Sequence, residues 1–360
     1  MAHHRSIAII KQGGLGDHIL TLPFAKALRG VEPGASITLF SSPAQSEFWD
    51  ANPDVDRVIP IRPNTFRNHA HNLADLFLGR RKVKEKFDLV FNPTHCLDIY
   101  RNGLVVNNLH SKEKIGFRQD ISPFDGYDAN IYYTNLLDRP RYDHVIKYSE
   151  YMFHSVYPGS PFDYGIKLPC QQKSNEWVEQ YLSKFHGIPI VGIHPAGTVN
   201  YRTLSARQLV EIIHHTIDLG YAPVILGENV FGLSQPNIIF TGRLELSKLF
   251  CLISKMKAVI CVDSSIKHIA GAFHIPILEL AHIPRHLLHL NGPFIDGQTF
   301  FSALSYWDPL PDGPLHEVVF PLWGQSIEDI HSGRSLHSIG LREVAARLEY
   351  LLERRFRPYK

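Results

Sequence analysis

The sequence lacks several features that define specialised classes of protein. It has no run of apolar residues approaching the roughly 18 that a membrane-spanning helix needs. It also lacks a surplus of one charge, since 37 Lys and Arg against 35 Asp and Glu give a formal charge of +2. Most nucleic-acid-binding domains carry a larger basic excess. With 44% hydrophobic and 20% charged residues among 360, we expect a folded globular protein of about two domains and no nucleic-acid partner.

Cysteine is scarce, and its spacing forms no C-x-x-C pair. The four cysteines are Cys96, Cys170, Cys251 and Cys261. This scatter predicts reduced thiols in a cytosolic protein rather than disulfides or zinc ligands. The first apolar stretch, Ile7–Ile10, is too short for a signal peptide. We therefore expect a cytoplasmic protein with at most weak peripheral membrane contact, through basic clusters such as residues 80–82 and the terminal arginines.

Short β-branched runs alternate with amphipathic stretches along the chain, a pattern typical of β-α-β units and parallel sheets. After a polar passage, Tyr157–Asn175, the alternation begins again, which predicts two similar α/β halves, 1–165 and 166–360. The predicted strands are Ile7–Ile10, Ile37–Phe40, Asp88–Phe91, Ile190–His194, Pro223–Leu226 and Ala258–Val262. The predicted helices are His18–Leu28, Ala206–Leu219, Leu246–Lys255 and a terminal helix, Leu341–Arg355.

The first candidate site is the glycine-rich turn between the first strand and the first helix. It contains Lys11, Gly13, Gly14, Gly16 and Asp17. A dinucleotide-binding G-x-G-x-x-G would need glycine where Ile19 stands, and no Gly-Lys-Ser/Thr completes a P-loop. Asp17 is open to two interpretations: a helix N-cap, or a general base that accepts the proton of an attacking hydroxyl.

Two further candidates follow strands of the second half. Thr198 and Arg202 lie after Ile190–His194 and suit phosphate oxygens; the alternative is an ordinary loop capped by Ser205. The third candidate comprises Asp263, Ser264, Ser265 and His268, which follow Ala258–Val262 and begin a helix. A helix start with free amides and hydroxyls suits a diphosphate; a serine cap with a satisfied core histidine is the alternative.

Histidine is abundant, with 21 residues, and three of them have spacings that would share a helix face: His282, His286 and His289. Pro284 interrupts that segment, and no carboxylate or cysteine completes a ligand set. We therefore expect no metal site.

Together these stretches resemble the ADP-heptose:lipopolysaccharide heptosyltransferases, glycosyltransferase family nine. The similarity lies in "IAIIKQGGLGDHILTLPFAKALR" (Ile7–Arg29), "PGASITLFSSPAQSEFWDANPDVDRVI" (Pro33–Ile59), "KIGF" (Lys114–Phe117) and "DSSIKHIAGAFHIPIL" (Asp263–Leu278). The resemblance implies a GT-B fold, in which two Rossmann-like domains face each other across a cleft. The first would bind the acceptor and the second the nucleotide-sugar.

The resemblance further implies an inverting, metal-independent sugar transfer with no cofactor beyond an ADP-linked donor. Asp17 would then be the catalytic base, and the loop of Lys11, Gly13, Gly14 and Gly16 would lie on the acceptor side. The donor-binding residues that it implies are Thr198, Arg202, Glu228, Asp263, Ser264, Ser265 and His268. The acceptor would be a lipopolysaccharide or another bacterial surface glycan, and the sugar a heptose or a related hexose.

The sequence departs from the family pattern at three places. Ser265 replaces the usual glycine, Thr203 stands where a tryptophan is common, and "ELAHIP" (Glu279–Pro284) replaces a Phe-Gly-Pro-Thr loop. A non-catalytic nucleotide-sugar binder with the same fold is the alternative function, although Asp17 and His268 are both present. An NAD-dependent oxidoreductase is disfavoured by Ile19 and by the absence of an acidic residue after the second strand.

Overall fold

The computed structural model describes residues 4–50, 52–61, 85–94, 102–119, 128–139, 144–197, 202–234, 238–281, 315–319, 336 and 339–354. The chain divides into two compact units, Met1–Ile166 and Lys167–Lys360. Each contains a parallel sheet, with six strands among the described residues. In these same ranges, no helix combines the length and the apolar character needed to span a bilayer. The basic residues 80–82, 355 and 357 lie outside them.

The first unit alternates strands and helices as the sequence pattern predicts. In chain order its elements are β1 (Ser6–Lys11), α1 (Leu15–Ile19), α2 (Leu22–Val31), β2 (Ser36–Ser41), α3 (Pro43–Asp50), β3 (Arg57–Pro60), β4 (Lys86–Phe91), α4 (Asn102–Asn108), β5 (His110–Phe117), a 3₁₀ turn (Ala129–Tyr132), β6 (Asn135–Leu137) and α5 (Ile146–His154). The strands lie in the order β3-β2-β1-β4-β5-β6.

The centre of this sheet is buried, since every residue of β1 and β2 after the first of each strand is buried. Ile7 lies beside Ile37 on β2 and beside Leu89 on β4, so three buried strands pair in register. Helix α2 packs over the sheet, where the rings of Phe24 and Phe91 meet edge to face with 5.3 Å between their centroids. Strands buried on both faces are the pattern expected of a parallel α/β sheet.

The prediction of one continuous helix over His18–Leu28 is wrong, because two helices, α1 and α2, occupy this stretch. Pro23 lies in the first turn of α2. It has no amide hydrogen to donate to the carbonyl of Ile19, so a single helix would lose a hydrogen bond and meet the proline ring. The break leaves α1 as a short helix next to the glycine turn.

The second unit repeats the arrangement. Its elements are α6 (Gln172–Ser183), β7 (Ile190–His194), α7 (Ala206–Asp218), β8 (Ala222–Ile225), β9 (Ile239–Phe240), α8 (Leu246–Ser254), β10 (Ala258–Val262), α9 (Ser265–Ala272), β11 (Ile277–Leu280), β12 (His316–Val319) and α10 (Leu341–Arg354). The strand order is β12-β11-β10-β7-β8-β9. The terminal helix α10 contributes Val344, Leu348 and Leu351 to the core of this unit. The predicted α/β class with two parallel sheets is confirmed.

The expectation that all cysteines are reduced is wrong for two of them, because Cys170 and Cys251 form a disulfide. Cys170 immediately precedes α6, a helix that the sequence pattern did not predict, and Cys251 lies in α8. The two helices pack against each other, which brings the cysteine Cα atoms to 5.2 Å across 81 residues of sequence. No local spacing encodes that contact. Cys261 is a free, buried thiol.

Both sheets reverse their strand order at one point, between β1 and β4 in the first unit and between β7 and β10 in the second. In open parallel sheets, ligands bind at the carboxyl ends of the strands that flank such a reversal. The glycine turn follows β1, whereas the Arg202 and Asp263 segments follow β7 and β10. The fold therefore places all three candidate segments at ligand-binding positions of the two sheets.

Candidate functional site

The glycine turn after β1 positions Asp17 through backbone geometry. Gly13 has a φ of +135°, and a Cβ atom built there would lie 2.7 Å from Asp17 Oδ2. Only glycine fits such a backbone and such a close approach. Asp17 occupies the third position of α1, not the N-cap, and its Oδ2 accepts a hydrogen bond from the Gly14 amide at 3.0 Å. The N-cap interpretation of Asp17 is therefore wrong, since Gly14 is the capping residue.

Lys11 ends β1 and points its ammonium group at the same carboxylate. Its Nζ lies 3.4 Å from Asp17 Oδ1, and its side chain is almost fully buried. Each oxygen of Asp17 is thus held by one partner, while the carboxylate itself stays partly exposed. An oriented, accessible carboxylate has the geometry of a proton acceptor. Gly16 lies inside α1 and makes no side-chain contribution.

His18 follows Asp17 and is a buried polar residue that the sequence analysis did not single out. Trp49 of α3 donates its Nε1 hydrogen to His18 Nδ1 at 2.8 Å. Burial, together with the nearby charge of Lys11, lowers the pKa of His18 to about 3. The ring is therefore neutral at ordinary pH, and it anchors α1 to α3 directly behind Asp17.

Polar side chains also occupy the end of β4, on the other side of the strand-order reversal. Asn92 is buried and donates from Nδ2 to the hydroxyl of Tyr133 at 2.6 Å. Its Oδ1 accepts from the amide of Thr94. No motif in the sequence marks this segment as part of a site.

In the segment after β7, Gly197 and Arg202 pair through their backbones, and the Arg202 side chain lies at the end of β10. The Gly197 amide donates to the Arg202 carbonyl at 2.7 Å, and a Cβ at Gly197 would lie 2.7 Å from Arg202 Cβ. Arg202 Nη1 lies 3.1 Å from Asp263 Oδ2. Thr198 lies outside the described residues. The serine-cap interpretation holds for Ser205 itself, whose hydroxyl accepts from the Gln208 amide.

The segment after β10 begins α9, and its first residues have unused hydrogen-bonding capacity. Ser264 is the N-cap residue but makes no side-chain capping bond. Its buried hydroxyl has no hydrogen-bond partner among the described residues. Ser265 opens the helix, and His268 is buried within it. The first amides of a helix lack intrahelical partners and attract anions, so Arg202 and this helix start form a site suited to phosphate.

The structure adds two charged residues to this region that the sequence analysis missed. Lys267 Nζ lies 3.0 Å from Asp263 Oδ1 and 2.8 Å from Glu279 Oε1. Both Lys267 and Glu279 are buried. A signal was present, because Glu279 is the only charged residue of the strand sequence ILEL, and buried charges are rarely left unpaired.

Glu228 stands apart from this group. It follows Gly227, which has a φ of +115°, on the exposed loop after β8. In the part of the chain that the structure describes, its carboxylate makes no hydrogen bond or ion pair. Because β8 neighbours β7, the loop lies at the same edge of the sheet as Arg202.

The described residues contain no group of three or more potential metal ligands. His282, His286 and His289, whose spacing was considered above for a metal site, lie outside them. His194, at the end of β7, is held neutral because burial lowers its pKa to about 4.

The model of glycosyltransferase family 9 (heptosyltransferase) matches residues 78–280, which is more than half of the chain. No curated protein sequence is a significant match. The matched segment includes Arg202, Asp263 and His268, and it begins after the glycine turn.

Several solved structures with similar folds are glycosyltransferases. A glycosyl transferase family 9 protein from Veillonella parvula is 18% identical, over 98% of this chain and 99% of that chain, with a TM-score of 0.72. E. coli ADP-heptose lps heptosyltransferase II is 15% identical over 97% and 99%, with a TM-score of 0.65. E. coli heptosyltransferase WaaC with ADP is 15% identical over 96% and 99%, with a TM-score of 0.64. The chain therefore has the GT-B fold and belongs to glycosyltransferase family 9.

Proposed function

We propose that this glycosyltransferase moves a heptose or a related hexose from a nucleoside-diphosphate sugar, ADP-linked, to a lipopolysaccharide or another surface glycan. The observation that carries the proposal is the Arg202–Asp263 ion pair, at 3.1 Å, beside the uncapped start of α9. A guanidinium with helix-start amides complements a diphosphate. The solved relatives support the donor, because WaaC was determined with ADP and with an ADP-linked fluoro heptose.

In the proposed reaction, an acceptor hydroxyl oxygen forms a bond to the anomeric carbon of the donor sugar. The bond from that carbon to the diphosphate oxygen breaks, and the nucleoside diphosphate leaves with the electron pair. The hydroxyl proton passes to Asp17, whose carboxylate is oriented by Lys11 and Gly14. Attack opposite the leaving group inverts the anomeric configuration.

The charge that develops on the leaving diphosphate needs stabilisation. Arg202, the amides at the start of α9 and the hydroxyls of Ser264 and Ser265 would supply it, with His268 one turn further along. Thr198 would join this set, Glu228 would meet the ribose hydroxyls, and Asp263 the donor sugar or its phosphate. On this scheme the transfer needs no divalent metal and no further cofactor. The cytoplasmic location and weak membrane contact stay predictions.

The test is a donor panel with purified protein. ADP-heptose and ADP-, GDP- and UDP-hexoses are offered with a lipopolysaccharide core acceptor, and release of the nucleoside diphosphate is followed. We expect release with an ADP-sugar, unchanged by EDTA, and a product of inverted anomeric configuration by NMR. Asp17→Asn should reduce turnover by about 10²–10⁴-fold.

Asp138→Asn is the matched control, because Asp138 is an exposed carboxylate of the same unit that pairs with Arg118. It should keep wild-type turnover. If no donor is turned over while ADP still raises the melting temperature, the chain is a non-catalytic nucleotide-sugar binder. If Asp17→Asn behaves like the wild type, Asp17 is not the base.

A further inference from the structure

Three charged or titratable side chains, Lys267, Glu279 and His316, extend the Arg202–Asp263 pair into the second unit. Asp263 Oδ1 is 3.0 Å from Lys267 Nζ, which is 2.8 Å from Glu279 Oε1. The second oxygen of Glu279 lies 3.0 Å from Nε2 of His316 on β12. From Arg202 inward, the groups form a continuous series of ion pairs. The series joins the segments after β7 and β10 to α9, β11 and β12.

The exposed fraction of these side chains falls steeply from Arg202 inward to Lys267 and Glu279. It is 33% for Arg202 and 26% for Asp263, but 3% for Lys267 and 5% for Glu279. Arg202 therefore meets solvent and any ligand, whereas Lys267 reaches neither. Whatever Lys267 does for a ligand, it does through Asp263.

The buried pair is ionised in the folded protein. Burial by itself raises the pKa of Glu279, but the charge of Lys267 and the hydrogen bond from His316 hold that pKa below its usual value. Burial likewise lowers the pKa of Lys267, and the carboxylates of Glu279 and Asp263 more than reverse this. The two carboxylates thus favour the charged form of Lys267, which lies between them.

Asp263 connects the buried ion pairs to the proposed donor site, because it forms an ion pair with a cation on each side. Arg202 holds Oδ2 and Lys267 holds Oδ1. When Arg202 turns to a diphosphate, it must give up some of its interaction with Asp263. A partly buried carboxylate left without a cation is costly. Lys267 removes that cost, since it stays on Asp263 whichever partner Arg202 takes.

We propose that Lys267 is a positioning residue of the donor site: backed by Glu279, it compensates Asp263 so that Arg202 is released to bind the diphosphate. This inference rests on the proposed function. Lys267 touches neither substrate nor reacting atoms, so its removal should weaken donor binding much more than it slows the chemical step. A purely structural ion pair would affect stability alone.

The first test removes the buried pair as a unit, with Lys267→Met and Glu279→Leu together. Replacing both partners leaves no uncompensated buried charge, and such replacements are often neutral for stability. The dissociation constant for ADP is measured by calorimetry, and kcat and KM with the ADP-sugar. We expect ADP to bind at least tenfold more weakly and KM to rise by a similar factor, with kcat within about threefold of the wild type.

A third substitution separates positioning from a structural role. Adding Asp263→Asn to the double variant removes the carboxylate that competes for Arg202, so ADP affinity should return to within about threefold of the wild type. ADP is the probe because it carries no donor sugar, so that a contact between Asp263 and the sugar does not enter the measured affinity. A role confined to stability predicts no such recovery.

Two controls keep the test decisive. Arg347→Gln with Glu317→Gln removes an ion pair between α10 and β12 of the same unit, at 2.8 Å, and should leave ADP binding unchanged. Glu279→Gln alone keeps Lys267 on Asp263, so it should bind ADP within threefold of the wild type even where its melting temperature falls. Tenfold weaker binding by this variant would overturn the inference. If the first double variant does not fold, Lys267→Gln with Glu279→Gln replaces it in the same measurements, because two neutral amides also leave no buried charge and can hydrogen-bond to each other.

The outcomes distinguish the inference from the function on which it rests. If the wild type binds none of ADP, GDP and UDP, the proposed donor chemistry fails, and the role of Lys267 fails with it. If the wild type binds ADP and the folded double variant binds it equally well, the positioning role alone is overturned.

Discussion

Trp49 Nε1 donates a hydrogen bond to His18 Nδ1 at 2.8 Å, which fixes the neutral imidazole with its proton on Nε2. His18 is fully buried and follows Asp17 in the same short helix. The bond ties α1 to α3 and so holds the helix that carries the proposed base. A buried histidine kept neutral in this way links the stability of the first unit to pH.

Stability should fall as the pH drops below about 6.5. Burial lowers the folded-state pKa of His18 to about 3 and that of His194 to about 4, from an ordinary value of 6.5. Between those values the unfolded chain binds protons that the folded one does not. Each histidine therefore removes about 1.4 kcal/mol of unfolding free energy per pH unit in this window, and neither contributes a slope above it.

Urea unfolding at roughly pH 7.0, 6.0 and 5.0 measures this slope. His18→Gln should reduce the slope of unfolding free energy against pH by the amount that corresponds to about one proton taken up on unfolding. His214→Gln replaces an exposed histidine and should leave the slope unchanged. Equal slopes for the wild type and His18→Gln would contradict the buried, neutral state of His18.

Gly13→Ala should disable the glycine turn. The substitution places a Cβ 2.7 Å from Asp17 Oδ2 at a φ of +135°, so Asp17 must move and the backbone is strained by about 1–3 kcal/mol. We expect turnover to fall toward that of Asp17→Asn. Gly30→Ala is the matched control, because a Cβ there meets nothing within 4 Å, and it should stabilise α2 by about 0.5–1 kcal/mol. Wild-type turnover by Gly13→Ala would contradict the close approach.

Arg202→Met should weaken donor binding. Hydrogen bonds to charged groups contribute about 1.5–3 kcal/mol, so the KM for the ADP-sugar should rise by roughly 10–100-fold. Steady-state kinetics measure this, with Arg207→Met as the control. Arg207 is exposed on α7 and pairs only with Glu211 among the described residues. The prediction is contradicted if both variants have the same KM.

Reduction of the Cys170–Cys251 disulfide should destabilise the second unit. The bond closes a loop across 81 residues, and removing such a cross-link typically costs about 2–4 kcal/mol. Urea unfolding with and without dithiothreitol measures the loss. Cys170→Ser should lose the same amount and should not respond to dithiothreitol. An oxidised wild type that is no more stable than the reduced one would contradict the effect.

The positions of the candidate segments were predictable from local pattern. Apolar runs such as Ile190–His194 and Ala258–Val262 are long enough for strands and too short for helices, and polar residues follow each of them. The sequence therefore placed Arg202 and Asp263 each in a segment that follows a strand. That the two side chains form an ion pair was decided by strand order, because β7 lies beside β10 in the sheet.

Other features were not predictable from local pattern. The break between α1 and α2 depends on Pro23, whose effect competes with a helical periodicity that runs through it. The N-cap interpretation of Asp17 failed because α1 begins at Leu15, with Gly14 as the N-cap residue, three residues before the predicted start at His18. In both cases the predicted helix boundaries followed the apolar periodicity, whereas the backbone breaks the helix elsewhere.

The sequence by itself determined the α/β class, the repetition of two similar halves and the loops that follow their central strands, because strand and helix periodicities are local. Only the tertiary structure decided which distant residues meet. Cys170 reaches Cys251 through helix packing, and Lys267 reaches Glu279 because parallel register sets β11 beside β10. Such contacts depend on packing between elements that lie far apart in the chain, and no spacing within either element encodes them.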